Sequence, residues 1–115
     1  LIDLKDEYAG SLSGGQKKLL ELARSMMADP QMVLLDEPGA GVNPTLMGKL
    51  IDNIKKLCAE KNITFLLIEH DMDLVMNLCN PVIVMSEGKK LAEGTPEEIK
   101  RDETVLEAYL GGQYR

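Results

Sequence analysis

The chain has 115 residues, of which 44% are hydrophobic, and these values suit one small folded domain with an apolar core. Its net charge of −6 argues against nucleic acid as a direct ligand, because phosphate backbones are bound by clustered Lys and Arg. The longest apolar stretches have the length of a β-strand, well below the roughly 20 residues that cross a bilayer. No signal-peptide pattern opens the sequence, so the composition favours a soluble globular class.

The first predicted helix begins at a capping box, because Ser13 and Gln16 have the S-x-x-Q spacing. The helix is expected to run to about Ala28, where Asp29-Pro30 ends it. Its predicted buried face consists of Leu19, Leu22, Ala23 and Met26. Residues 31–36 predict a strand, and their uninterrupted apolar run predicts burial on both faces, as in a parallel sheet.

The middle of the chain predicts a second helix and a second strand. Asn43 caps the helix and Pro44 occupies its first position. Residues 63–68 predict the next buried strand, and Asp71 starts a helix to about Leu78. The buried stripe of the Asn43 helix is expected to be Leu46, Leu50, Ile51, Ile54 and Leu57.

The last part of the sequence predicts a hairpin followed by short helices. Residues 82–86 form a strand, which a Glu87-Gly88 turn joins to a shorter strand around 90–93. Thr95-Pro96-Glu97-Glu98 predicts a second capping box, and the helices after it are expected to end at Gly111-Gly112. The alternation of helices and strands predicts an α/β fold.

The two cysteines have no CxxC spacing. Cys58 and Cys79 both fall in predicted helices among apolar neighbours. The sequence therefore predicts two buried free thiols in a reducing compartment.

The segment Leu12-Ser13-Gly14-Gly15-Gln16 places two glycines and a hydroxyl at a helix start. Free backbone N–H groups and the positive end of the helix dipole attract phosphate oxygens at such a position. A plain helix cap is the alternative, but Gly costs roughly 1 kcal/mol relative to Ala in a helix. A close approach of the backbone to phosphate explains the two glycines better.

A second constellation follows the first predicted strand, where Asp36 and Glu37 stand side by side. One carboxylate can hold a hydrated Mg²⁺ while its neighbour polarises an attacking water, as phosphoryl transfer to water requires. Two solvated acids are the simpler alternative. His70, the only histidine, closes the next predicted strand, at the sheet edge where ligands of open α/β sheets bind. Although a lone histidine is more often structural, this position favours contact with the γ-phosphate.

These motifs, in this order and spacing, resemble the nucleotide-binding subunit of an ABC transporter. LSGGQ is the signature, the apolar run into Asp36-Glu37-Pro38 is the Walker B strand, and His70 is the switch histidine. Residues 39–44 correspond to the D-loop, with Asn43 where many relatives carry Asp. Among ABC transporters, the chain most resembles the branched-chain amino-acid importers. The features that carry this resemblance are the Asn43 variant, IEHDM at 68–72 and the tail Ala108-Tyr109-Leu110-Gly111. The resemblance implies a P-loop NTPase fold, with a mostly parallel sheet flanked by helices.

One expected motif is not found in the sequence. A Walker A loop, G-x-x-x-x-G-K-[ST], does not occur, since Gly48-Lys49 and Gly88-Lys89 have neither the required glycine nor a following Ser or Thr. The comparison therefore predicts the C-terminal half of an ABC ATPase, lacking the Walker A strand. Its expected segments are 1–28 with the signature helix, 29–94 with the Walker B, D-loop and histidine core, and 95–115 as a helical tail.

A further expectation concerns the strands that flank the Walker A strand in this family. These are residues 63–68 and 82–86, whose free edges would seek partners because unpaired backbone groups are costly. The two strands are expected either to pair directly or to exchange with a second copy of the chain.

The resemblance also implies a role for each motif residue in a head-to-tail dimer that encloses two ATP molecules. Glu37 would be the general base, Asp36 would hold Mg²⁺ through water, and His70 would sense the γ-phosphate. Asn43 would communicate across the dimer. The residues expected to contact the partner's nucleotide are Ser13, Gly14, Gly15 and Gln16.

At the level of the whole protein, the resemblance implies the ATP-hydrolysing subunit of an importer for branched-chain amino acids. Its partners would be a second ATP-binding subunit and transmembrane permease subunits, at the cytoplasmic face of the membrane, and not nucleic acid. Three alternatives stay open: a non-transport ABC ATPase of DNA repair or translation, a transporter of another cargo such as urea or exported lipopolysaccharide, and a fragment inactive on its own.

Overall fold

The computed structural model describes residues 1–109 of the chain. The chain divides into two compact units, Leu1–Leu74 and Val75–Arg115, and the second is described as far as Tyr109. Helices and strands alternate along the first unit, and the second contains two consecutive strands followed by two helices, so the predicted α/β class is confirmed. The boundary between the units does not coincide with the expected segments 1–28, 29–94 and 95–115, and that division stays a sequence-based prediction.

The first unit opens with two short 3-10 turns, Ile2–Leu4 and Ala9–Ser11, followed by helix α1, Gly14–Met26. The predicted capping box is confirmed, because the side chains and backbone N–H groups of Ser13 and Gln16 bond reciprocally. The helix ends two residues before the expected position. Ala23 was expected on the buried face and is exposed, since the buried positions Gly15 and Leu22 lie on one stripe along α1 and Ala23 lies beside it.

Helix α2, Pro44–Lys61, also begins where the sequence predicted. The Asn43 side chain accepts a hydrogen bond from the Leu46 N–H at 2.9 Å. The predicted stripe is confirmed, with Leu50 and Ile54 buried and its other members half-buried. Asn62, with a φ of 56°, ends the helix in the left-handed region.

Strands β1, Met32–Asp36, and β2, Thr64–Ile68, pair in parallel. Burial on both faces was predicted for this sheet and is wrong. Val33 is 6% exposed, whereas Leu34 is 67% exposed. Since successive strand residues point to opposite faces, one face of the sheet is covered within the unit and the other is not. The apolar residues on the uncovered face are Met32, Leu34, Leu66 and Ile68.

Helix α3, Met72–Leu78, follows Asp71, whose side chain accepts a hydrogen bond from the Leu74 N–H at 3.2 Å. Strands β3, Val82–Ser86, and β4, Lys89–Gly94, then form the predicted antiparallel hairpin. Both turn residues have positive φ, 50° at Glu87 and 76° at Gly88, as a two-residue hairpin turn requires.

Two short helices complete the described chain, α4, Pro96–Arg101, and α5, Glu103–Tyr109. Thr95 caps α4, because its hydroxyl oxygen accepts a hydrogen bond from the Glu98 N–H at 3.2 Å. The predicted capping box is incomplete, since Glu98 Oε1 accepts a bond from the Thr95 hydroxyl at 3.2 Å and not from the Thr95 N–H. The expected helix end at Gly111-Gly112 lies outside the described residues. The core of the second unit consists of Val82, Val84, Ile99 and Val105.

Strands β2 and β3 belong to separate two-stranded sheets. Direct pairing between them was one of two expectations and is wrong for the described residues, in which no sheet contains both strands. Exchange with a second copy stays a prediction. No helix within residues 1–109 is both long and apolar enough to cross a membrane.

The two thiols differ from the prediction that both are buried. Both cysteines are free, but Cys58 is exposed on α2, since it lies off the buried stripe of that helix. Cys79 is half-buried, and this burial raises the pKa of its thiol.

Candidate functional site

The Ser13 turn, defined as residues 13–16, starts helix α1 with its polar groups satisfied locally. The Gln16 N–H donates to Ser13 Oγ at 3.1 Å, and the Ser13 N–H donates to Gln16 Oε1 at 2.9 Å. The N–H groups of Gly14 and Gly15 belong to the first helical turn, where no intrahelical carbonyl accepts them. The turn therefore keeps donors that a phosphate could use.

The two glycines of this turn have different surroundings. A Cβ at Gly14 would meet nothing within 4 Å, so this face is open to a ligand. A Cβ at Gly15 would overlap Leu46 Cδ1, on the first turn of α2. Packing of α1 against α2 is thus sufficient to explain the glycine at position 15. The sequence interpretation expected phosphate to approach the backbone at both glycines, and the backbone is open in this way only at Gly14 of the two.

Asp36 is the last residue of β1, and it is exposed. Together with Lys18 and Glu21 of α1, it lines a pocket of about 220 Å³. Glu37 follows with a φ of 48°, in the left-handed region. Its N–H still donates to the Ile68 carbonyl oxygen at 2.7 Å, so the pairing of the two strands persists to the point where the chain turns.

Glu37 and His70 meet where the two parallel strands end. Glu37 Oε1 lies 3.1 Å from His70 Nδ1, although 33 positions separate the residues in sequence. The register explains the contact, because Asp36 pairs with Ile68 and both side chains follow shortly after that pair. An ionised carboxylate only accepts hydrogen bonds, so this contact places a proton on Nδ1 and directs Nε2 elsewhere. Both side chains are accessible, with 52% of Glu37 and 74% of His70 exposed.

Glu69 is a site residue that the sequence interpretation did not single out. Its side chain is 2% exposed and its oxygens accept backbone N–H bonds from Gly39 at 3.2 Å and from His70 at 3.0 Å. The alternation of buried and exposed side chains along β2 could have indicated Glu69. Phe65, Leu67 and Glu69 share the more buried face of the strand, and an acid on such a face needs partners. We call Asp36, Glu37, Glu69 and His70 the strand-end cluster.

Asn43 has a structural role that is visible in the fold, because its side chain caps α2. Asp caps helices about as well as Asn, so capping alone does not distinguish the two residues at this position. The expected communication across a dimer stays a prediction.

The structure thus brings Asp36, Glu37 and His70 to one edge of the β1–β2 sheet. The Ser13 turn lies beside the first turn of α2, and Ser13 and Gln16 bond to each other, not to that edge. Within residues 1–109, no group of three or more His, Cys, Asp or Glu side chains is arranged to hold a metal ion. Asp36 would therefore offer a metal ion a single carboxylate.

Comparison with known proteins shows which proteins this chain resembles. A family model described as ABC transporter matches residues 1–40, and one described as branched-chain amino acid ATP-binding cassette transporter matches residues 89–115. The high-affinity branched-chain amino acid transport ATP-binding protein BraF of Pseudomonas aeruginosa is 47% identical over 111 residues, which are 96% of this chain and 44% of that protein. The LivG protein of Escherichia coli K12, of the same description, is 42% identical with the same coverage.

The chain is therefore similar to ATP-binding proteins of ABC transporters over 96% of its own length. The matched segment 1–40 contains the Ser13 turn and two carboxylates of the strand-end cluster, Asp36 and Glu37. The chain spans 44% of the length of these curated relatives.

Solved structures of the family have the same fold. The ADP conformation of MJ1267, an ATP-binding cassette of an ABC transporter, matches with a TM-score of 0.83 and 45% identity over 95% of this chain and 44% of that one. A nucleotide-free ATP-binding cassette matches with a TM-score of 0.85 and 44% identity, with the same coverage. These matches confirm the predicted ABC ATPase fold.

Proposed function

We propose that this sequence is part of the ATP-hydrolysing subunit of an ABC importer. This part carries the Ser13 turn, the general base Glu37 and the switch histidine His70. The observation that carries the proposal is the 3.1 Å contact between Glu37 and His70 at the end of the paired strands β1 and β2, beside Asp36. General-base chemistry needs an accessible carboxylate with a fixed orientation. Glu37 is half-exposed and one of its oxygens is held by His70.

In this proposal Glu37 orients a water molecule and accepts its proton as the water oxygen attacks the γ-phosphorus of ATP. The bond between that phosphorus and the bridging oxygen breaks, and ADP leaves. His70 donates a hydrogen bond from its Nδ1–H to Glu37 and keeps that proton, and in the doubly protonated ring the Nε2–H can donate to an oxygen of the γ-phosphate. The pair thereby links the position of the base to the presence of the phosphate group.

Mg²⁺ fits this site if Asp36 binds it through water. The ion usually keeps several waters and is held by one or two carboxylates together with substrate phosphates, so a single exposed carboxylate is compatible with it. When bound, Mg²⁺ neutralises charge on the phosphate oxygens. Asp36, at the rigid end of β1, supplies the protein's ligand.

The Ser13 turn would act on the nucleotide of a second ATP-binding subunit. Gly14 supports this assignment, since its surface is open, and the unpaired N–H groups of the first turn of α1 suit a phosphate. Asn43, at the start of α2, would transmit contact across the same dimer. The partners in this proposal are a second ATP-binding subunit and transmembrane permease subunits, and the chain would sit at the cytoplasmic face of the membrane.

Branched-chain amino acids are the proposed cargo. The support is that the relatives at 42% and 47% identity are described as branched-chain amino acid transport proteins, and that a family model of this description matches residues 89–115. The test is ATP-dependent uptake of labelled leucine into vesicles that contain the permease and a full-length subunit with this sequence. Uptake of urea without uptake of leucine would contradict the proposed cargo.

We also propose that the 115-residue chain alone neither binds ATP with useful affinity nor hydrolyses it. The sequence contains no Walker A motif, whose backbone amides and lysine bind the phosphates in P-loop proteins. Isothermal titration of the chain with Mg-ATP is expected to give no measurable heat of binding. A micromolar dissociation constant would overturn this part of the proposal.

A further inference from the structure

Glu69 is buried in a way that the proposed mechanism does not explain. Its side chain is 2% exposed, whereas those of Glu37 and His70 are 52% and 74% exposed. A carboxylate is costly to remove from water unless hydrogen bonds satisfy its oxygens. Neither water activation nor nucleotide contact uses Glu69, so its burial requires another reason.

The carboxylate of Glu69 bridges two loops. Oε2 accepts a hydrogen bond from the Gly39 N–H at 3.2 Å, in the loop that follows β1 and Glu37. Oε1 accepts one from the His70 N–H at 3.0 Å, in the loop that follows β2. The Asp71 N–H lies 3.4 Å from the same oxygen. One side chain therefore connects the loop that carries Glu37 to the loop that carries His70.

The Gly39 end of this bridge is tightly enclosed. A Cβ at Gly39 would lie 2.7 Å from Met47 Cε, 3.1 Å from Leu74 Cδ2 and 3.3 Å from Glu69 Oε2. The absence of a side chain is what lets the Gly39 backbone reach the carboxylate. At the other end, the anchored residue is the one whose Nδ1 contacts Glu37 at 3.1 Å. Glu69 thus fixes the backbone of the histidine, and its Oε1 also lies 3.6 Å from His70 Nδ1, the ring atom that contacts Glu37.

We propose that Glu69 is a positioning residue for ATP hydrolysis, which fixes the backbones of Gly39 and His70 and so aligns the His70 imidazole with Glu37. The inference rests on the proposed function of Glu37 and His70. Because Glu69 acts through His70 and does not contact the nucleotide, its loss lowers kcat and leaves the apparent affinity for ATP in place.

The test uses a full-length ATP-binding subunit containing this sequence, assembled with its permease. Glu69→Gln keeps the size of the side chain but turns one oxygen into an NH₂ group, which cannot accept a hydrogen bond from either N–H donor. One of the two anchors is therefore lost. We expect kcat to fall about 10- to 100-fold, as small misplacements of reacting groups do, and KM for ATP to change less than about twofold.

Asp71→Asn is the matched control. It makes the same change from acid to amide two residues further along, and its Oδ1 can still accept the Leu74 N–H bond that measures 3.2 Å. We expect its kcat to equal that of the parent. The comparison controls for a change from acid to amide in the same loop.

A second measurement separates positioning from stability. The imidazole signals of His70 are identified in NMR spectra by their absence from His70→Ala. In Glu69→Gln these signals are expected to shift and broaden, and in Asp71→Asn to stay unchanged. If Glu69→Gln does not fold, Glu69→Asp is measured in the same way, since its shorter side chain keeps the charge but cannot reach both loops. If neither variant folds, Glu69 serves folding alone and the inference is overturned.

The inference is also overturned if folded Glu69→Gln has the kcat of the control and unchanged His70 signals. The proposed function has its own test in the same assay. If Glu37→Gln hydrolyses ATP at the parent rate, the assignment of the base is wrong, whatever Glu69→Gln does. The two failures are therefore distinguishable.

Discussion

The Ser13 turn and the strand-end cluster are both polar sites, but they are organised over very different distances in sequence. In the Ser13 turn, the two side-chain hydrogen bonds join residues three positions apart. In the strand-end cluster, the bonds of Glu37 with His70 and of Glu69 with Gly39 span 33 and 30 positions. The first site needs only a helix to form, whereas the second needs strands β1 and β2 to be paired in the correct register. Substitutions should therefore affect the two sites in different ways.

The largest expected effect is at the strand-end cluster. Glu37→Gln in a full-length subunit should reduce kcat by about 10²–10⁴, because an amide cannot accept the proton of the attacking water. ATP binding should persist, so nucleotide-bound dimers should accumulate on size-exclusion chromatography. Glu60→Gln, on the exposed surface of α2, is the control and should retain the parent rate.

At the Ser13 turn, Ser13→Arg should lower turnover through a different step. The long cationic side chain would obstruct closure onto the partner's nucleotide, while binding of ATP to each single subunit should be retained. Ser13→Ala separates this effect from loss of the helix cap, which costs about 1 kcal/mol of stability. If Ser13→Arg dimerises with ATP as well as the parent does, the Ser13 turn does not face the nucleotide of a partner.

A stability comparison between the two glycines of this turn gives the next largest effect. Gly15→Ala should destabilise the protein by about 1–3 kcal/mol, since the new methyl group collides with Leu46 across the α1–α2 contact. Gly14→Ala, which meets open space, should change stability by less than about 1 kcal/mol. Thermal or urea unfolding of the two variants measures the difference. Equal losses would mean that the two glycines share one role.

The smallest expected effect is a difference in reactivity between the two thiols, which lie outside both sites. It tests the burial that the structure assigns to Cys79. Burial raises the pKa of Cys79 and so lowers its thiolate fraction, whereas Cys58 is exposed to the reagent. Cys58 should be alkylated severalfold faster, as peptide mass spectrometry can determine. The difference between the two alkylation rates should become smaller as the pH rises, and it should disappear in denaturant. Faster labelling of Cys79 in the folded protein would contradict the burial described.

The sequence predicted the local features of this fold well. The caps at Ser13, Asn43 and Thr95 and the Glu87-Gly88 turn depend on residues within four positions of each other, and all were found where expected. Residue types and spacing are enough to specify such contacts, because they do not depend on the rest of the chain.

Features that depend on tertiary contact were predicted less well. An apolar run such as Met32–Leu35 shows that a strand can be buried, but it does not show how many faces of the strand are covered. In the structure one face of the β1–β2 sheet is uncovered. Glu69 was overlooked for a related reason. Its partner Gly39 is 30 positions away, and nothing in the sequence states the register that brings them together.

The left-handed backbone at Glu37, with a φ of 48°, has a consequence for engineering this family. A non-glycine residue in this conformation costs roughly 1–2 kcal/mol, so glycine or asparagine would suit the turn better. Sequence optimisation that rewards stability alone would therefore replace the proposed general base with glycine. The resulting protein would be harder to unfold and unable to turn over ATP, which is the trade-off expected where a fold keeps a reactive side chain in an unfavourable conformation.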